Sequence, residues 1–354
     1  MCLLKKLGIQ YPIVQAPMAG GITTPQLVSE VSNCGGLGFI GAGMLAPEEI
    51  ALQIKEVKKN TRLPFGINLF YLPDIKNLSR DDLLESIKYI EHRLGGLGIN
   101  YQFHIPEFWA EPFRSQVEAI LADPPPIVSF TFGIPPVEIL NSFKKKNIKI
   151  IGTATTVKEA QLWDSHHIDA ICLQGIEAGG HRGSLPENEY SEQLPLMPLL
   201  TLVKRAAVKT PIIASGGIMT GEAILATQIL GAQAAQLGTA FLCADESGAS
   251  KAYKNAVKQF KDRDTQLTRV FTGKFARGIS NQWIQTNKDF EAKAPSYPYT
   301  NILTKYLRNW ANRNDQPEFI SLWAGQCFQL AETKKVREII SQLIEEYQLA
   351  KSNL

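Results

Sequence analysis

Cysteine is scarce and scattered. Cys2, Cys34, Cys172, Cys243 and Cys327 form no CxxC pair and are odd in number, which argues against a disulfide framework and against a thiolate zinc site. Reduced thiols in a reducing cytoplasm are the expectation, and no metal centre is expected. No apolar run approaches the ~18 to 20 residues that a membrane span needs, and the start, MCLLKKLGIQYPIVQ, has no signal-peptide apolar core. Neither membrane insertion nor secretion is expected. Excess charge is also missing: 37 basic residues face 34 acidic ones, a net charge of +3 with both signs interspersed. That leaves no electrostatic footprint for nucleic acid or an anionic membrane, and points to a small-molecule partner. The chain has no internal repeat and no low-complexity tract.

What is present is enough apolar material for a large core, with 44% hydrophobic residues in a chain of 354. From residue 13 to residue 237, short β-rich apolar runs alternate with segments of helical period, the pattern of parallel strands joined by crossover helices. Candidate strands are Ile13–Ala16, Leu37–Ile40, Phe65–Leu69, Ile127–Phe130, Ile148–Gly152, Ala170–Leu173, Ile212–Ala214 and Ala234–Leu237. Candidate helices between them include Pro25–Asn33, Pro47–Lys59, Val137–Lys146, Val157–Asp164 and Gly221–Leu230, several opening with Pro or Thr as helix starts do. This eight-fold repeat predicts a TIM (β/α)8 barrel over residues 1–244.

Two regions exceed a bare barrel. The connection 71–126 reads as a helical excursion, with helices at Arg80–Leu94 and near Pro112–Ala122, closed by Pro124-Pro125-Pro126. Residues 245–326 read as a smaller, mainly helical cap domain with one possible strand at Gln266–Phe271. The segment 327–354 ends in a helix over Lys334–Gln348, whose stripe of Val336, Ile339, Ile340, Leu343 and Ile344 should dock back on the barrel.

In such barrels the active site lies at the C-terminal ends of the strands, and phosphate is held by the last two strand-to-helix loops. Here Ser215-Gly216-Gly217-Ile218 leads into a helix near Gly221, offering bare backbone N–H groups and a helix N-terminus to an anion. Gln236-Leu237-Gly238-Thr239 follows the eighth strand with another glycine and a hydroxyl. The rival Gly41-Ala42-Gly43-Met44-Leu45-Ala46 satisfies a dinucleotide fingerprint on paper. It lacks the acidic residue that the pattern requires ~20 positions later, so its glycines read as tight turns at the barrel rim. After the sixth strand, Gln174–Gly183 combines glycines with His181, the best general-base candidate among five histidines. His92 and His104 fall in the excursion, and His166-His167 fall at the opposite barrel face.

These blocks are familiar together. QAPMAGG (15–21), SNCGGLGFIGAG (32–43), SFTFG (129–133), GTATT (152–156), QGIEAGGHRG (174–183), ASGGI (214–218), QLGTAF (236–241), GKFARGI (273–279), YPYTN (297–301) and LWAGQ (322–326) resemble the nitronate monooxygenase family. The likeness runs through nearly the whole chain, nearest the class with EAGGHRG. It implies an FMN enzyme that converts alkyl nitronates, such as propionate 3-nitronate, and O2 into carbonyl compounds and nitrite, a nitroalkane-detoxifying chemistry. By the same resemblance FMN would be held by Asn68, Gln174, Gly179, Gly217, Gln236, Leu237, Gly238 and Thr239. His181 would be the catalytic base, and Tyr297, Tyr299 and Lys305 are candidate substrate neighbours in the cap. An alternative on the same scaffold is an FMN-dependent NAD(P)H:quinone or enoyl-thioester reductase; a further one is a non-catalytic flavin-binding protein.

Overall fold

The computed structural model describes residues 2–73, 78–186 and 193–354; residues 74–77 of the expected excursion lie outside the described set. Eight parallel strands form the central sheet: β1 (Ile13–Gln15), β2 (Gly38–Gly41), β3 (Phe65–Phe70), β4 (Ile127–Thr131), β5 (Lys149–Ala154), β6 (Ala170–Gln174), β8 (Ile212–Ser215) and β9 (Ala234–Leu237). Their neighbours run β1-β9-β8-β6-β5-β4-β3-β2, and a parallel bridge from Val14 to Leu37 joins the two ends of that list into a ring. This is the TIM barrel the apolar runs foretold. Each strand is bounded within two residues of its expected limits, because strands covered on both sides are short, mainly apolar runs.

The helices alternate with the strands and are fixed by local chemistry. Thr24 and Thr156 cap their helices through side-chain oxygens, and Glu159 completes a capping box with Thr156. The bottom of the barrel is plugged by an unforeseen N-terminal helix, Leu3–Leu7, whose Leu3 and Leu7 are buried in a cluster with Val14, Phe39, Ile127 and Ile213. The C-terminal helix Val336–Ser352 buries Val336, Ile339, Ile340 and Leu343 against the barrel's outer core.

A second hydrophobic core joins residues from 242 to 331 with Ile87, Ile90, Leu94 and Ile99 of the excursion. Most of it is helical, from Lys251–Gln259 to Lys305–Arg313. It also contains a small antiparallel sheet. β10 (Thr265–Thr268) pairs with β11 (Ala276–Ile279), and β11 pairs with a two-residue strand, β7 (Gly180–His181), that leaves the barrel loop after β6. The expected strand Gln266–Phe271 is thus shorter and starts one residue earlier. The pairing ties the glycine-rich loop to the cap and fixes where His181 stands. Among the described residues no helix is long and apolar enough to cross a membrane.

Candidate active site

The C-terminal strand ends and the second core enclose a cavity of about 1140 Å³, slightly above the usual range of small-molecule sites, ~300 to 1,000 Å³. Asn68, Gln174, Gly179, His181, Gly217, Gln236, Gly238 and Thr239 all line it, and so do Tyr297 and Lys305. Two expected residues stand outside that lining. The Leu237 side chain is buried in the barrel core, since β-strand alternation turns it away from the side on which Gln236 lies. Tyr299 is buried behind the wall with its ring centroid 4.8 Å from that of Trp109.

His181 sits in an aromatic box. Its ring centroid lies 5.7 Å from Phe132, 5.7 Å from Tyr297 and 5.8 Å from Trp323. Its Nε2 is 2.9 Å from the Thr272 hydroxyl, and that hydroxyl donates to the Lys274 carbonyl at 3.1 Å. The Thr272 oxygen is therefore left to accept, which places the imidazole proton on Nε2 and the bare lone pair on Nδ1. Burial first, then the charges of Lys274 and Arg308, push the imidazole pKa down to about 3.

That shift has a stability consequence. The unfolded chain binds this proton near pH 6.5 and the folded chain only near 3, so between those values the unfolded state holds more protons and stability rises with pH. Above 6.5 the contribution is flat. His181→Asn should therefore shallow the slope of melting temperature against pH between about 4 and 6.5; slopes identical to wild type would contradict the burial of a neutral imidazole.

Gln174 holds the loop that bears His181. Its Nε2 donates to the His181 carbonyl at 2.9 Å, and its Oε1 accepts from Gly183 N–H at 2.8 Å. One N–H of the amide is left for a ligand. Gly179 allows the loop to cross the segment 324–325, where a Cβ would meet Gly325 N at 2.5 Å. Asn68 donates through Nδ2 to Ser129 and Thr131, at 2.9 and 3.1 Å, while its Oδ1 accepts from no described residue.

The two terminal loops are likewise open to a ligand. Gly217 and Gly238 line the cavity, and their backbone N–H groups donate to no other described residue. The Thr239 hydroxyl accepts from Gly325 N–H at 3.0 Å and keeps its own proton to donate. One expectation is corrected: the N-terminus of helix Gly221–Ile229 is not available to a ligand anion. Gly221 N–H donates to the Glu346 carboxylate of the C-terminal helix at 2.8 Å, so a side chain from this protein already meets the helix dipole there. Sequence reasoning missed Lys274, whose Nζ lies 5.0 Å from the Phe132 ring centroid, and Arg308, which lines the cavity from the helix Lys305–Arg313.

A barrel with an open strand-end cavity, a half-buried imidazole and unpaired loop N–H groups defines an enzyme of the TIM-barrel class. The nitronate monooxygenase family model matches residues 2–346. A probable nitronate monooxygenase of Staphylococcus haemolyticus is 40% identical over 348 residues, covering 97% of this chain and 96% of that protein. Among solved structures, the nitroalkane oxidase of Streptomyces ansochromogenes is similar with a TM-score of 0.89 at 35% identity, covering 99% of both chains. FabK of Thermotoga maritima is similar with a TM-score of 0.78 at 26% identity, covering 99% of this chain and 97% of that one. The chain belongs to the nitronate monooxygenase family and is an oxidoreductase.

Proposed function

We propose that the protein is an FMN-dependent nitronate monooxygenase, oxidising alkyl nitronates, propionate 3-nitronate among them, with O2 to carbonyl compounds and nitrite. The observation that supports it best is the juxtaposition in one cavity of an anion-ready rim, Gly217, Gly238 and Thr239, with a half-buried neutral imidazole. The residues present fit FMN: a phosphate suits the unpaired N–H groups of the two loops, and the free Oδ1 of Asn68 suits a ring N–H. Gln174, Gly179 and Gln236 would flank the ring, and Leu237 would contribute backbone only. Bound FMN supplies the electron transfer between nitronate and O2.

The chain's own residues bind, orient and move the proton. Nδ1 of His181 would accept the acidic α-proton of a substrate that arrives as neutral nitroalkane, with Thr272 holding the ring through Nε2. A pKa of about 3 makes the free imidazole a weak base. Proton transfer, however, creates an imidazolium beside a nitronate anion, and their attraction in a dry site offsets the cost of burying either charge alone. Phe132, Tyr297 and Trp323 flank the imidazole and limit its contact with water.

Anaerobic rapid mixing separates this function from the reductase alternative. Reduction of the bound flavin by propionate 3-nitronate, with nitrite formed once air is admitted, is the expected result. Bleaching by NADH or NADPH with no response to the nitronate would mean a reductase instead.

A further inference from the structure

The cavity holds a cation that proton transfer does not use. Arg308 stands three residues after Lys305 on the helix Lys305–Arg313; both line the cavity, Lys305 at its exposed edge and Arg308 half-buried deeper in. The guanidinium is fastened on one side only. Nη2 donates to the Asn301 backbone carbonyl at 2.5 Å and to its Oδ1 at 2.9 Å, and Nε donates to the Thr304 hydroxyl at 3.3 Å. Nη1 donates to no described residue, and no described carboxylate forms an ion pair with this arginine. A cation half withdrawn from water without a counter-charge is costly, and burial lowers its pKa to about 10. Beside it the Tyr297 hydroxyl also lacks a hydrogen bond to any described residue, and the Arg308 charge acts directly on that phenol. A free guanidinium edge and a free phenol thus face one space, with the Tyr297 ring 5.7 Å from His181.

This pair is not placed for the cofactor's phosphate. Asn301, to which Arg308 is bonded, reaches Met44 after β2, Nδ2 to Sδ 3.7 Å, and the Tyr297 ring packs on Phe70 of β3 and Phe132 after β4. The open loops at Gly217 and Gly238 follow β8 and β9, strands that β1 on one side and β6 and β5 on the other separate from β2–β4. The two anion-ready features therefore lie over different arcs of the barrel mouth.

We propose that Arg308, with the Tyr297 hydroxyl, anchors a carboxylate at the end of the substrate remote from its nitronate carbon, and so determines specificity for short nitronates with an anionic tail. A planar guanidinium with an unused N–H suits a carboxylate better than it suits an alkyl chain, and the charge-assisted bond gains strength where water is partly excluded. The assignment rests on the functional reading above.

The test compares propionate 3-nitronate with 3-methylbutyl-1-nitronate, in which two methyl groups replace the carboxylate oxygens, on wild type, Arg308→Met and Arg308→Lys. Wild type should favour the carboxylate substrate at least about 10-fold in kcat/KM. Arg308→Met should lower kcat/KM for propionate 3-nitronate by about 10- to 100-fold, mainly through KM, and leave the uncharged-tail substrate within about three-fold. Arg308→Lys should restore part of the loss. Equal losses on both substrates would show that Arg308 holds the nitronate group or the fold, and would overturn the assignment; so would unchanged constants. Should Arg308→Met fail to fold, Arg308→Lys and the wild-type preference still decide, because a wild type without preference for the carboxylate contradicts the proposal. A wild type that oxidises neither nitronate overturns the functional reading and this assignment with it.

Discussion

Replacing His181 by Asn should leave FMN binding intact while lowering turnover of neutral nitroalkanes by about 10²-fold or more. Activity on preformed nitronates should fall much less. The split follows from the site: only a neutral substrate needs a proton removed, and Nδ1 of His181 is the basic atom that the Thr272 contact leaves free. Asn can retain a hydrogen bond to Thr272 but has no basic nitrogen. The measurement is steady-state kinetics of one compound presented as nitroalkane and as nitronate, alongside the flavin content of the variant. Equal activity of wild type and variant on both forms would remove His181 from the chemistry. Equal, severe losses on both would assign it to binding instead.

Filling the rim should have the opposite signature, loss of flavin before loss of fold. Gly217 is an ambiguous place to try this, because its φ of +69° already penalises any side chain and a Cβ would stand 3.2 Å from the Glu177 Cβ. Gly238 is cleaner. Its φ of −105° suits any residue, and a Cβ there meets the Ala16 Cβ at 3.4 Å and the Met18 Sδ at 3.8 Å, ordinary contacts with two residues that line the cavity. Gly238→Val should therefore fold with a melting temperature close to that of the apoprotein, and its FMN affinity should fall at least about 10-fold as methyl groups enter the phosphate's space. Fluorescence titration of the apoprotein with FMN reads the affinity directly. Undiminished affinity would move the phosphate away from the loop after β9.

The barrel was legible because its strands are buried on both faces. Runs such as Ile127–Phe130 and Ala170–Leu173 are mainly apolar and end in polar or glycine-rich loops. The small sheet was not legible. β7 is two residues long and includes a glycine, β11 contains Arg277 and Gly278, and their pairing joins positions almost a hundred residues apart. No local pattern encodes such a contact.

The site divides in the same way. The segments around Gln174–His181, Gly217 and Gln236 could be placed at the barrel mouth from barrel geometry, Asn68 only from the family resemblance, and all of them do meet in one cavity. Cap residues depend on how helices dock. Tyr299 and Tyr297 are two positions apart in one aromatic motif, yet only Tyr297 faces the cavity. Arg308 reads as one more surface cation in KYLRNWANR until the helix is docked and its exposed and inward faces are known. The covering of Gly221 by Glu346 likewise depends on a helix that begins more than a hundred residues later.

The central claim is tested most directly by the visible spectrum of the purified, folded protein and the identity of the chromophore released on heat denaturation. The account predicts a yellow protein that releases FMN in an amount equimolar with the chain, or a colourless one that takes up FMN to that ratio. Folded protein that stays colourless in excess FMN, or that releases FAD, would contradict it.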